Sequence, residues 1–221
     1  MTAVATSAEP YVPQGAGLDE LRAAAAHCEG CALYRDASQV VFSSGRQRAR
    51  VAMVGEQPGD VEDKRGEPFV GPAGGLLFRA MAEAGIARED VYLTNAVKHF
   101  KFHRVGQGQR RIHEKPGRTE IVACRPWLRA EFGLLRPSVV VALGATAGQA
   151  LAGPSFRVTR HRGELLAWPD SAEHPEDFAG APRDAHLVAT VHPSAVLRAE
   201  DRGAAYAEFL ADLRVVANAL G

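Results

Sequence analysis

Four short apolar runs constrain this chain more than any other feature. They are Val51-Ala-Met-Val54, Val91-Tyr-Leu93, Val139-Val-Val-Ala-Leu143 and Leu187-Val-Ala-Thr-Val191. Each is too short for a buried helix, and Gly55 and Gly144 end two of them. Continuous apolar strands of this kind belong to sheets buried on both faces. Helical periods separate them. Leu18–His27 is Ala-rich, with Asp19 and Glu20 in its first turn. Gly75–Gly85 carries a stripe of Leu76, Leu77, Ala80, Met81 and Ala84, and Thr119–Leu135 one of Ile121, Val122, Cys124, Leu128 and Phe132. Ala145–Leu151 opens directly after a strand, and Ala204–Leu220 closes the chain. The alternation predicts a three-layer α/β/α sandwich with a mainly parallel central sheet.

Three segments fall outside this pattern. Residues 1–16 are rich in Pro, Gly and Ala, which predicts a flexible or loosely docked arm ahead of a single domain over residues 17–221. Val40-Val41-Phe42 reads as a strand outside the core. Pro169–Asp184 is acidic and Pro-rich and reads as an exposed excursion.

Composition excludes several classes. With 46% hydrophobic and 24% charged residues, wholesale disorder is excluded. Lys plus Arg equals Asp plus Glu, 26 each, so net charge names no partner. No apolar run approaches the roughly 18 residues a membrane span needs, and no membrane partner is expected. The first residues lack the pattern of a secretory signal, which makes a cytoplasmic protein the default. Three cysteines make no disulfide framework. Cys28 and Cys31 form a C-x-x-C pair and Cys124 stands far away, an arrangement that invites a metal. Nothing demands more than a monomer.

In open α/β sheets, ligands bind beyond the carboxyl ends of the strands. Here those positions hold Gly55-Glu-Gln-Pro-Gly-Asp60, Thr94-Asn-Ala-Val-Lys-His99, Gly144-Ala-Thr-Ala-Gly148 and His192-Pro-Ser194. A single such loop can be Gly- or Pro-rich for turn geometry alone. Four on one edge argue for a site. Charge adds a second indication. Between Lys98 and Arg118 stand seven Lys or Arg (98, 101, 104, 110, 111, 115 and 118) against one acid, Glu114, joined by His99, His103 and His113. Such asymmetry in a neutral chain reads as a phosphate-facing patch and favours nucleic acid over a merely solvated loop. Gly106 and Gly108 suggest that this loop has turns of its own.

The motifs G-E-Q-P-G at 55–59, P-F-V-G-P-A-G-G at 68–75, T-N-A-V-K at 94–98 and H-P-S at 192–194 resemble the set of the family 4 uracil-DNA glycosylases, over about residues 18–215. Arg110-Arg-Ile-His113 resembles the basic insertion of the UdgX subgroup, whose members stay covalently attached to uracil-DNA. Gln57 also fits that subgroup, whereas Gln109 stands where its pattern has Lys.

The resemblance implies a 4Fe–4S cluster on Cys28, Cys31 and Cys124, with His99 where a fourth cysteine is expected. His103 is the rival ligand. Imidazole can ligate cluster iron, and three thiolates with one imidazole also suit zinc. It implies Phe69 as the ring on which a flipped uracil stacks, Asn95 as the reader of the base edge, and Gly55 and Asp60 as further parts of the uracil pocket. His192 would hydrogen-bond uracil O2 as charge builds there. Ser194, Arg110 and Arg111 would hold DNA phosphates. His113 would be the nucleophile at C1′ in place of water, Glu56 would hold its other nitrogen and take its proton, and Gln57 would position Glu56 or close the pocket. The expected partner is uracil-containing DNA, with single strands accepted. Two other readings remain open: a turnover glycosylase in which His113 merely contacts DNA, and a metal-stabilised nucleic-acid-binding module without catalysis.

Overall fold

A computed structural model describes residues 6–106 and 110–221. Among them eight strands form: β1 (Ser43–Ser44), β2 (Val51–Gly55), β3 (Val91–Asn95), β4 (Phe102–Val105), β5 (Arg110–His113), β6 (Val139–Leu143), β7 (Leu165–Ala167) and β8 (His186–Thr190). Six make one sheet in the order β1-β3-β2-β6-β8-β7. Its four central strands run parallel, with Val51 opposite both Val91 and Val139, and Val139 opposite His186. The two edge strands are antiparallel to their neighbours. The expected α/β sandwich is the observed fold.

The helices are α1 (Leu18–Ala25), α2 (Asp60–Arg65), α3 (Pro72–Ala84), α4 (Arg118–Leu134), α5 (Ala145–Ala152), α6 (Val158–His161), α7 (Pro193–Arg198) and α8 (Arg202–Leu220). Side chains alternate across a strand, so each central strand feeds two cores. Ala52 and Val54 join Tyr92, Val140 and Leu187 under α1, α4 and α5. Val51 and Met53 join Leu93, Val141 and Val188 under α3 and α8. Every residue of β2, β3 and β6 is buried, which explains their apolar runs, broken only by Thr94 and Asn95 at the end of β3.

Some boundaries shift for local reasons. α3 begins at Pro72 rather than Gly75, because proline suits the first helical position, where no N–H partner is needed. It stops at Gly85, which adopts φ 82°. α8 starts at Arg202, where the Asp201 carboxylate accepts the Ala204 N–H.

The segments expected at the periphery are more integrated than that. Val40–Phe42 is not a strand. The Val41 N–H donates to the Lys98 carbonyl at 2.9 Å, and Phe42 sits edge-on to Trp127 with ring centroids 5.5 Å apart. The edge strand is the polar Ser43–Ser44 just after it. The Pro169–Asp184 excursion is anchored by Phe178, 3% exposed, whose ring meets those of Phe132 and Trp168. In the N-terminal arm, Ala8 is buried and its N–H donates to the Ala123 carbonyl of α4 at 2.7 Å. A side chain at Gly30 would lie 2.7 Å from the Ala8 Cα, so glycine there makes room for the arm.

A buried ion pair fastens α4 to β3. Lys98 Nζ lies 2.5 Å from Glu131 Oε2, and the two side chains are 1% and 0% exposed. Tyr92 and Thr94 each donate a hydroxyl to Glu131 Oε1 at 2.8 Å, and the ammonium also faces the Phe42 ring at 4.9 Å. The basic stretch after β3 forms a separate antiparallel hairpin, β4–β5, with Phe102 opposite His113 and Val105 opposite Arg110. Among the described residues, no helix is long and apolar enough to cross a membrane.

Candidate active site

A cleft of about 650 Å³ opens at the carboxyl ends of the parallel strands. The loops after β2, β6 and β8 reach it, as do β5 of the hairpin and the last residue of β3. Gly55, the last residue of β2, sets its geometry. A Cβ there would lie 2.3 Å from Asn95 Oδ1 and 2.8 Å from Phe69 Cζ, so only glycine lets both side chains close over the strand end. Asn95 ends β3 and is 3% exposed.

Phe69 is buried with φ 59°, the one non-glycine residue in the left-handed region among those described. Such a backbone persists only where its surroundings enforce it. Two features do so here. The Gly71 N–H donates to Glu62 Oε1 at 2.9 Å, and a Cβ at Gly74 would stand 1.7 Å from the Phe69 carbonyl oxygen. The Phe69 ring faces His192 with centroids 6.5 Å apart and planes 26° from parallel.

His192 caps α7. Its Nδ1 accepts the Ser194 N–H at 3.2 Å and lies 2.8 Å from Ser194 Oγ. The neutral ring therefore carries its proton on Nε2. Burial pulls its pKa down to about 4, with His113 and Arg198 adding to the shift. Ser194, expected on a phosphate, instead spends its amide and hydroxyl on His192.

Across the cleft, His113 Nε2 lies 3.4 Å from Glu56 Oε1. Burial lowers the His113 pKa below the usual value, Glu56 opposes that, and Arg198 adds to it. The other Glu56 oxygen, Oε2, accepts the Thr146 hydroxyl. Gln57 does not touch Glu56 through a hydrogen bond. Its amide donates to the carbonyls of Lys101 at 3.1 Å and Glu114 at 3.0 Å, and its carbonyl accepts the Lys101 N–H. It clamps the open end of the hairpin on which His113 stands.

The basic patch divides in two. Arg111, 8% exposed, pairs with Asp60 Oδ1 at 2.5 Å and Asp63 Oδ2 at 2.6 Å. That turns Arg111 away from phosphate and into a strut between β5 and α2. It also commits Asp60, expected in the uracil pocket, to Arg111 and Lys64, although Asp60 still lines the cleft. Lys98 is neutralised inside, and Lys101 meets Glu120 at 2.9 Å. Arg104, Arg110, Lys115 and Arg118 remain exposed for a phosphate backbone. Gly108 and Gln109 lie outside the described residues.

Residues 42–214 match the Uracil DNA glycosylase superfamily. The chain belongs to that superfamily. It is 37% identical over 172 residues to the type-4 uracil-DNA glycosylase of Thermotoga maritima, covering 77% of this chain and 78% of that one. It is 34% identical over 196 residues to the type-4 uracil-DNA glycosylase of Pyrobaculum aerophilum, covering 89% and 91%. A third relative, the type-4 uracil-DNA glycosylase of Archaeoglobus fulgidus, is 36% identical over 60% of this chain and 62% of its own.

The three cysteines of this superfamily member come from three places: the end of the turn after α1, the start of the next turn, and the middle of α4. Cys28 Sγ accepts the Trp127 Nε1–H at 3.2 Å and the Gly30 N–H at 3.5 Å. Cys124 Sγ accepts the Lys98 N–H at 3.3 Å. Burial pushes the Cys124 thiol up to about 12 and raises Cys31 as well, with the charge of Cys28 adding to both shifts. His99, next to Lys98, is buried, and burial drops its pKa to about 4, so it is a neutral donor. N–H groups aimed at sulfur suit cluster thiolates. Among the described residues, no three or more His, Cys, Asp or Glu side chains are placed to hold a metal ion. Three thiols and a neutral imidazole are donor types that suit a cluster or zinc alike.

Sequence reasoning missed three site residues. Thr146 lay in a motif already noted, but nothing in a G-A-T-A-G run singles out its hydroxyl. Arg198 lines the cleft from α7 and weighs on both histidines. Glu62 holds the Phe69 loop.

Proposed function

We propose that this protein excises uracil from DNA and then bonds through His113 to C1′ of the resulting abasic site. The observation that carries the reading is the His113–Glu56 pair, 3.4 Å apart across a cleft whose far wall holds Phe69, Asn95 and His192. A uracil flipped out of the strand would stack on Phe69, and the Asn95 amide would pair with its N3–H and O4 edge. His192 would donate Nε2–H to O2. The N1–C1′ electron pair leaves with the base, so O2 gains charge where that donor waits. The sugar becomes an oxocarbenium-like cation, which the Glu56 carboxylate favours. An imidazole nitrogen lone pair of His113 then forms the bond to C1′, and Glu56 takes the proton that the ring sheds. Arg110 and the neighbouring exposed cations would hold the phosphates on either side, with single strands accepted.

We assign Cys28, Cys31, Cys124 and His99 to a 4Fe–4S cluster. Its part is structural: when bound it ties α1, the loop after β3 and α4 together. No step of the reaction runs through it.

The test is a denaturing gel. The protein is mixed with a uracil-containing single-stranded oligonucleotide, heated in SDS and run beside the H113S variant. A heat-stable shifted band with wild type, absent from H113S, supports covalent capture. No band but an alkali-cleavable strand establishes a turnover glycosylase, a reading that fits the names of the relatives equally well. An unaltered strand leaves only a binding module.

A further inference from the structure

We propose that Thr146 is a positioning residue for the Glu56–His113 pair: its hydroxyl holds one Glu56 oxygen so that the carboxylate meets the imidazole edge without closing on it. The inference rests on the function proposed above and gives a role to the third strand-end loop, which that function leaves unused. Thr146 stands in the first turn of α5 and is 1% exposed. Thr146 is the second residue of α5, so no helical turn precedes it to take its hydroxyl proton. The hydroxyl donates to Glu56 Oε2 instead. Glu56 Oε1 is thereby left facing His113 Nε2 at 3.4 Å, an ion-pair distance longer than a good charge-assisted hydrogen bond.

The loop is built to bring Thr146 there. Gly144 adopts φ 95°, and a Cβ at that position would stand 3.1 Å from His192 Cβ. Glycine thus lets β6 turn into α5 directly against the β8 loop, with Thr146 beneath Glu56. The anchoring bears on reactivity because a nucleophilic imidazole must be neutral. The groups acting on His113 are Glu56 after β2, Arg198 on α7 and His192 before it, with the Phe100 ring 6.1 Å away. Of these charged groups Glu56 favours the protonated ring, together with a hydrogen bond to the His113 backbone. A carboxylate that shares its charge with Thr146 is a weaker acceptor for the imidazolium. Without the hydroxyl it has His113 as its remaining side-chain partner and turns onto it.

The test compares T146V, which keeps the shape and removes the donor, with T146S, which keeps the donor. Circular dichroism melts establish that both variants fold. The His113 ring is titrated by NMR on the DNA-free protein, and single-turnover rates are measured with uracil-DNA at saturation. T146V is expected to raise the His113 midpoint by about half to one pH unit. It should also slow the reaction at neutral pH about tenfold with DNA affinity unchanged, and the loss should shrink as pH rises. T146S should restore both. In an E56Q background T146V should no longer move the midpoint, because the group it acts through is gone. An unchanged midpoint in T146V, or an equal shift in E56Q, overturns the proposal. The titration needs no DNA, so it decides the role of Thr146 whether or not wild-type protein forms the adduct.

Discussion

Replacing Lys98 by Met is the sharpest test of how the sheet and α4 are held together. The substitution keeps the length of the side chain and deletes the ammonium 2.5 Å from Glu131 Oε2, at a site where both side chains are sealed from water. A carboxylate left alone in such a place costs about 3–5 kcal/mol. Here it keeps the Tyr92 and Thr94 hydroxyls, both at 2.8 Å, and neutral donors to a charged acceptor recover part of the loss. That places K98M at the lower end, about 3 kcal/mol. For a domain of this size about 2–4 °C accompanies each kcal/mol, so the melting midpoint should fall by roughly 10 °C. The double variant K98M/E131Q removes both charges and leaves an amide for the two hydroxyls. It should be markedly more stable than the sum of the two single losses. Urea unfolding followed by circular dichroism at neutral pH gives all three values. If K98M lies within about 1 kcal/mol of wild type, or the double variant loses the full sum, the pair is not the buried, desolvated contact described.

Three further outcomes can be checked. Q57A removes three hydrogen bonds at the base of the hairpin, so the reaction at C1′ should slow by roughly a hundredfold in single-turnover assays while hairpin amides exchange faster by NMR. G55A places a methyl 2.3 Å from Asn95 Oδ1, so uracil release should fall steeply with the fold destabilised by about 1–3 kcal/mol, as a chemical denaturation curve would read. The rate should rise with pH around a midpoint below the ordinary histidine value of about 6.5, because burial lowers the His113 pKa and keeps the ring neutral into mildly acid solution. A midpoint above that value would contradict the lowered His113 pKa.

The central strands were legible because burial on both faces forces an apolar alphabet. Val139–Leu143 coincides with β6, and the other three runs fall within two residues of their strands. β1 and the β4–β5 hairpin were not legible, since Ser43–Ser44 and Arg110–His113 carry no apolar alternation. Their pairing is decided by what they dock against. The site was readable as four strand ends, and Glu56, Phe69, Asn95, His113 and His192 do meet in one cleft. Arg111 was misread as a phosphate ligand because local charge density says nothing about acids distant in the chain, and Asp60 and Asp63 are 51 and 48 residues away in sequence. Ser194 was misread for a related reason: its neighbour His192 uses it first.

The hairpin shares no backbone ladder with the main sheet. Its attachments run through a few side chains, namely the Gln57 amide, the Arg111 fork on Asp60 and Asp63, and Lys101 on Glu120. Such an element is a cassette. The pocket that recognises a base and the ribbon that carries His113 can be gained, lost or exchanged as separate parts. On the proposed function, excision and capture would then sit on separate elements joined by a few acidic anchors on α2 and α4.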